Sequence, residues 1–506
     1  MRISRPRWPL LAAVTAVSFF AVWIVSPRFA IDGPSLVDDW SAISRSPDQL
    51  AAVLRFENPE SERFRPSWIA WNYVQWHTFD APQGAVGPNV WNLLRVLVFV
   101  VGLSMLTALM LPRARDLRQS VVCAGLAVLP AFSVLSVPKF ARDFAWFGPQ
   151  EPLLLGGLAL GGSLLWIAAS TLLDDAPVGR FATAASAVAG SLFWLVGVYQ
   201  KEVALSAIPL IAAALFVARD RLRRWNELSP VRRYALAAIG AVVVLPLVHV
   251  ATQATRITLR GELVYGAEVD GGAGIWRGLE ILYDWASEAM PQTARDFMFV
   301  AVALVVVASV ARRRVDVLAV GALASGLLTI VFAAQSGVAV SRYYIPLLAL
   351  FAVAASLSLA RLPDLIAAAG VLVVFFAFMP PTETRAEVRQ WSAEEQRHAE
   401  IVQLVAELEH SGCVVAADGL DPETSLALPQ LTRLEGAAPE RTCSSEAYFV
   451  LPPYGAERLA LTKTCQEGAL EPVLGGRLLG VYACSRVRVG AEDVLAAHRF
   501  RSAAEA

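Results

Sequence analysis

Long apolar runs alternate with short polar connections through the first three-quarters of the chain, after which the pattern changes. Mostly apolar stretches cover 8–27, 91–111, 119–137, 152–173, 182–199, 203–219, 234–251, 296–311, 315–334, 344–360 and 364–380. A membrane-spanning helix needs about 20 such residues, so the pattern predicts eleven transmembrane helices. Beyond residue 380 polar positions dominate. A polar helix over 383–410 precedes short β-like runs at 413–416, 448–451 and 478–483. The expected fold is an α-helical polytopic membrane domain over 1–380, followed by a small α/β domain over 381–506.

The chain carries Arg2, Arg5 and Arg7 before its first apolar run, and no small-x-small cleavage site precedes Arg28. A retained signal anchor with a cytoplasmic N-terminus is expected. Alternation then places the connections at 112–118, 174–181, 219–233, 312–314 and 361–364 in the cytoplasm. Four of these five are basic, as the positive-inside rule requires. The opposite side receives loops 28–90, 138–151 and 252–295, short turns at 199–202 and 335–343, and the tail. In the first loop Ser46-Pro47-Asp48-Gln49 reads as a capping box that starts a short helix to about Arg55. Pro66 starts another, with Trp68, Trp71, Trp76 and Phe79 at helical spacing, suited to the outer interface.

Composition agrees with the pattern and adds a compartment. Of the 506 residues 56% are hydrophobic and 17% charged, and the mean hydropathy is +0.51, which excludes an ordinary soluble globule of this length. The net charge of −1 is uninformative about nucleic acid, because charge here matters by side of the membrane, and no such partner is expected. Cys123 lies in an apolar run, whereas Cys413, Cys443, Cys465 and Cys484 all fall in the tail. Four cysteines in one small polar domain predict two disulfides and an oxidising, extracytoplasmic setting, with all three pairings open. No Cys-x-x-Cys pair favours zinc. The protein is expected to be multi-pass in the plasma (cytoplasmic) membrane with its tail outside.

Charges at a membrane face are costly and ask for a reason. On the outer face they gather at Asp38-Asp39, Arg63 and Arg65, Lys139/Arg142/Asp143, Lys201-Glu202, and Arg342 beside Tyr343. Sugar transfer from a lipid-linked phosphate needs a carboxylate base for the acceptor hydroxyl. It needs cations on the departing phosphate, and an apolar groove for the lipid tail. All three kinds of group are available on one side.

The order of these motifs resembles the GT-C class of membrane glycosyltransferases, which includes protein mannosyltransferases, arabinosyltransferases and lipid A aminoarabinose transferases. The likeness covers about 1–380. It rests on a first span followed by Asp38-Asp39, then Arg63-Phe64-Arg65-Pro66 before an aromatic helix. Tyr199-Gln200-Lys201-Glu202 resembles the family's Lys-Glu turn, and Ser341-Arg342-Tyr343-Tyr344-Ile345-Pro346 its Arg-Tyr motif. The resemblance implies a polyprenyl-phosphate sugar donor, a glycan, lipid or protein acceptor, and inverting transfer of a hexosyl or pentosyl group. It implies Asp38 or Asp39 as base, with Arg65, Lys139, Arg142, Lys201, Glu202, Arg342 and Tyr343 around the donor phosphate. A further acidic residue is expected in the second external loop, where Asp143 and Glu151 both qualify. No cofactor is required, although Mg²⁺ or Mn²⁺ at Asp38/Asp39 stays open because oxygen-only sites leave little signature.

Each motif also has a purely structural reading, as a solvated pair, a headgroup contact, an interfacial belt or an ion pair closing a turn. His77 and His249 are read as structural. Two other function classes compete with transfer. A transporter or flippase calls for ionisable residues within spans, and the apolar runs are nearly free of them. A non-catalytic protein with a binding tail leaves the clustered outer charges without a task.

Overall fold

The computed structural model describes residues 8–30, 86–145, 151–173, 179–259, 290–335, 344–378, 381–420, 442–452, 459–476 and 479–500, with Ser67, Ala70, Trp71, Val74, Arg342 and Leu428. Each apolar run forms a helix. The order is α1 (Trp8–Val25) with a 3-10 turn (Ser26–Ala30), α2 (Val86–Met110), α3 (Leu117–Leu135), α4 (Pro138–Ala145), α5 (Glu151–Leu173) and α6 (Arg180–Val198). A 3-10 segment (Glu202–Ala207) leads into α7 (Ile208–Leu222). There follow α8 (Pro230–Leu259), α9 (Gln292–Arg312), α10 (Val317–Gln335), α11 (Tyr344–Leu359) and α12 (Asp364–Ala377). Among the described residues nine helices are long and apolar enough to cross a membrane, and two shorter apolar ones lie in α10 and α11. The capping-box helix of the first loop lies outside the described residues. Of the segment after Pro66, Ser67, Ala70, Trp71 and Val74 are described, and all four are helical.

Helix α11 is the central post. All its residues from Tyr344 to Leu359 are buried, so it is apolar on every side. It packs against α3, α9 and α10. At 1.5 Å per residue it is about 24 Å long, less than a bilayer core, which suits a helix enclosed by protein. Other helices of the bundle turn Phe19, Phe181, Phe299 and Phe376 outward, where lipid would cover them.

Helix α5 meets its partners through glycine. A Cβ on Gly157 would stand 2.9 Å from Gly197 Cα, and one on Gly197 would stand 2.6 Å from Leu158 N, so α5 and α6 touch backbone to backbone. On an adjoining face a Cβ on Gly156 would meet Phe99 N of α2 at 2.7 Å. Close approach of this kind is the usual means of helix association where water provides no driving force.

The tail begins with α13 (Pro381–His410), which packs on α1 and α4. Thr384 Oγ1 donates to the Ser136 carbonyl at 3.1 Å, and the Arg385 guanidinium lies 4.6 Å from the Trp23 ring centre. Beyond it strands β1 (Val415–Ala417), β2 (Ala447–Leu451), β3 (Leu470–Gly475) and β4 (Gly480–Cys484) form one sheet in the order β1-β2-β4-β3. The first pair is parallel and the others antiparallel. Ile401, Val405 and Leu408 of α13 cover one face, against Val415, Val450 and Val481. Strand β3 departs from the sequence reading. It holds Pro472 and an irregular register, both tolerated because it is the edge strand. Cys413 pairs with Cys443 and Cys465 with Cys484, leaving Cys123 as the free thiol.

Two measurements check this arrangement. Maleimide labelling of the denatured, non-reduced protein modifies one thiol per chain, and five after reduction. Gly197→Ala forces a methyl against Leu158 N and lowers stability by about 1–3 kcal/mol, read as a lower unfolding midpoint in detergent.

Candidate functional site

Helix α5 begins and α6 ends at the same end of the bundle, because the two run antiparallel along their glycine contact. That geometry brings Glu151, the first residue of α5, to the turn that follows α6. Tyr199 and Gln200 close α6, and Lys201 is extended, with φ −166° and ψ 151°. Its Nζ donates to Glu151 Oε1 at 2.8 Å, and the two side chains are 4% and 1% exposed. This is a buried ion pair between residues 50 positions apart.

Arg342 enters from a third direction. It directly precedes α11 and lies near enough for its charge to act on Glu151. The charge of Arg342 thus reaches the carboxylate that Lys201 holds, and the N-termini of α5 and α11 add their positive ends to the region. Tyr344, the first residue of α11, is buried beside them. Of the predicted residues, the structure pairs Lys201 with Glu151 and sets Arg342 within electrostatic reach of that carboxylate.

Asp143 lies on α4, a helix inside the 138–151 connection that the apolar pattern predicts as a loop. Pro138 opens this helix, and Phe140, Ala141, Phe144 and Ala145 form its buried stripe. Asp143 is buried as well, while Lys139 is half-buried. The Arg142 guanidinium stands 4.7 Å from the Trp391 ring centre, with a nitrogen 3.8 Å from Glu387 Oε1, so α13 of the tail engages it. Asp38, Asp39, Arg65, Tyr343 and the side chain of Glu202 lie outside the described residues.

Buried cations that the sequence reading did not single out support α4 from below. Arg95 Nη2 donates to Asn92 Oδ1 at 2.5 Å and to the Phe144 carbonyl at 3.1 Å, and Asn92 Nδ2 donates to the Ala145 carbonyl at 3.1 Å. A cation and an amide thereby satisfy the last carbonyls of α4. Arg28, wholly buried after α1, is a second such cation. A charge inside an apolar run was the available signal for Arg95.

The turn is braced on both sides. Tyr199 Oη and His249 Nδ1 are 3.2 Å apart, and His249 Nε2 is 3.2 Å from Gln253 Nε2, consistent with a structural histidine. From the first loop, Ser67 N donates to the Tyr199 carbonyl at 3.2 Å and Ser67 Oγ to the Leu195 carbonyl at 3.3 Å. Trp71 meets Trp91 edge to face at 4.8 Å. Among the described residues no three His, Cys, Asp or Glu side chains gather as metal ligands would.

Removing one partner from a buried pair strands the other charge, at about 3–5 kcal/mol. Glu151→Gln takes the carboxylate away from both Lys201 and the reach of Arg342, whereas Lys201→Met leaves Glu151 within reach of Arg342. The first is therefore expected to lower the unfolding midpoint further than the second, and the reverse order would contradict the described arrangement.

No family model matches the chain, and neither does any curated protein. Two solved structures resemble it over nearly their whole length. The crystal structure of ArnT from Cupriavidus metallidurans in the apo state is 16% identical, with a TM-score of 0.47 over 93% of this chain and 98% of that one. The crystal structure of the same protein bound to undecaprenyl phosphate is 14% identical, with a TM-score of 0.49 over 94% and 97%. Both scores lie below 0.5, and the function is therefore read from the side chains of this chain.

Proposed function

We propose that the protein is a membrane glycosyltransferase. It moves a sugar from a polyprenyl-phosphate donor to a hydroxyl of a glycan, lipid or protein acceptor on the extracytoplasmic side. The observation that carries this reading is the Lys201–Glu151 pair with Arg342 beside it. A buried lysine–glutamate pair at the N-terminus of α5, with an arginine just before α11 whose charge reaches the same carboxylate, is a ready position for a phosphate.

In this reading Asp38 or Asp39 accepts the acceptor's proton as its oxygen attacks the anomeric carbon. The bond from that carbon to the phosphate oxygen breaks, and the phosphate leaves with the electron pair. Attack opposite the leaving group inverts the anomeric centre. Lys201 and Arg342 stabilise the departing phosphate, with Arg65, Lys139, Arg142 and Tyr343 completing its surroundings. Glu151 and Glu202 hold the cations in place. Ser67 supports the arrangement, since it ties the loop that also carries Asp38, Asp39 and Arg65 to the Lys201 turn.

Charge and oxidation state support the orientation in this reading. Arg113, Arg115, Arg312 and Arg361 stand at the opposite end of the bundle, which suits the cytoplasm. The two disulfides of the tail suit the outside.

The test uses membranes supplied in turn with polyprenyl-phosphate mannose, arabinose and aminoarabinose. Either Asp38→Asn or Asp39→Asn is expected to reduce transfer by about 10²–10⁴-fold, the usual share of a general base. Arg342→Ala reduces it by about 10²-fold or more, as loss of a charge-stabilising donor does. Full activity in both asparagine variants would sink the proposed base.

A further inference from the structure

We propose that the protein binds the phosphate-bearing headgroup of an anionic lipid in a cavity at the end of the bundle opposite Lys201. The connection between α2 and α3, the last residue of α9 and the turn between α11 and α12 enclose a space of about 320 Å³. Arg113, Arg115, Arg312 and Arg361 line it, and Asp364 is the one acid among the lining residues. Asp316 holds Arg361 at 2.8 Å, and Gln119 donates to Asp364 at 3.1 Å. Counting both acids against the four arginines, two positive charges remain in excess.

Arg113 and Arg312 carry the case. Arg312 Nε donates to the Arg361 carbonyl at 2.8 Å, which fixes its guanidinium beside the cavity. Its terminal amino groups make no hydrogen bond to the described residues. Arg113 likewise has no ion-pair partner among them, although it lines the same space. A positive-inside bias requires only that arginines lie on this side. It does not require three separate connections to converge around a void with one guanidinium anchored by its neighbour's carbonyl.

The shape favours a lipid over a soluble anion. Below the arginines the walls become apolar, with Val122, Leu126 and Ala367. The faces beside them expose Leu117, Val121 and Leu365, giving acyl chains a continuous surface from the cavity to the bilayer. Guanidinium pairs above an apolar wall are what an anionic headgroup between helices needs. Arg361 follows α11 and Arg342 precedes it, so about 24 Å of helix separates this cavity from the Lys201 end. The inference is thus independent of the sugar-transfer reading.

Native mass spectrometry of the full-length protein in non-ionic detergent, titrated with phosphatidylglycerol and with phosphatidylcholine of the same chains, tests it. The wild type is expected to prefer phosphatidylglycerol, and the double variant Arg113→Gln/Arg312→Gln to bind it roughly thirtyfold more weakly, about fivefold per arginine. Arg113→Lys/Arg312→Lys restores most of the preference. Both arginines are exposed, and an unchanged unfolding midpoint of the lipid-free variant verifies that it folds. The charge-matched control Arg223→Gln/Arg232→Gln keeps wild-type binding. Equal binding of the two lipids by the wild type overturns the proposal, as does an equal loss in the control, which would mean a merely basic surface. Displacement of phosphatidylglycerol by millimolar inorganic phosphate, with the same sensitivity to the variants, also overturns it in favour of a soluble ligand.

Discussion

A carboxylate and an ammonium that leave water together must stay together, and this condition governs one whole end of the molecule. Each ion costs several kcal/mol to bury, recovered only while the geometry holds. Glu151 and Lys201, at 2.8 Å and nearly without exposure, therefore fix the start of α5 against the turn after α6. The 3-10 segment Glu202–Ala207 inherits its position from that turn, and through it α7. Arg342 ties the start of α11 into the same electrostatic group.

The remainder of the bundle supplies the stiffness that such a pair needs. Helix α11 is enclosed on every side, so Arg342 is presented by an element that cannot tilt freely. Below α4, Arg95 and Asn92 hold the last carbonyls of the helix that carries Asp143. Above it, α13 meets Arg142 through Trp391 and Glu387. The tail is consequently part of the architecture around this end. Its own fold is secured separately by two disulfides and by the apolar face of α13.

How far this could be read from residues depended on the distance over which each constraint acts. The helices were legible because a bilayer demands apolar runs of nearly fixed length. Lys201 and Arg342 stood out because charge beside apolar sequence is costly anywhere. The contact of Lys201 with Glu151 did not, since the two lie 50 residues apart and Asp143 qualifies equally in the sequence. Arg95 hid for a related reason, as it bonds to backbone carbonyls that no side-chain pattern encodes. Strand β3 hid behind Pro472, a residue that argues against a strand unless the strand is known to be at an edge. The cysteines announced two bonds, but pairing them required the sheet that sets Cys484 near Cys465. The proposed base, at Asp38 or Asp39, is legible only as motif and sidedness, because those residues lie outside the described structure.

The glycine contact also has a mechanical meaning. Helices that touch backbone to backbone cannot slide without lifting a whole residue over its neighbour, so α5 and α6 behave as a single rod. Glu151 and the Lys201 turn ride on one tip of that rod. The spacing of these two residues is therefore set by the rod itself.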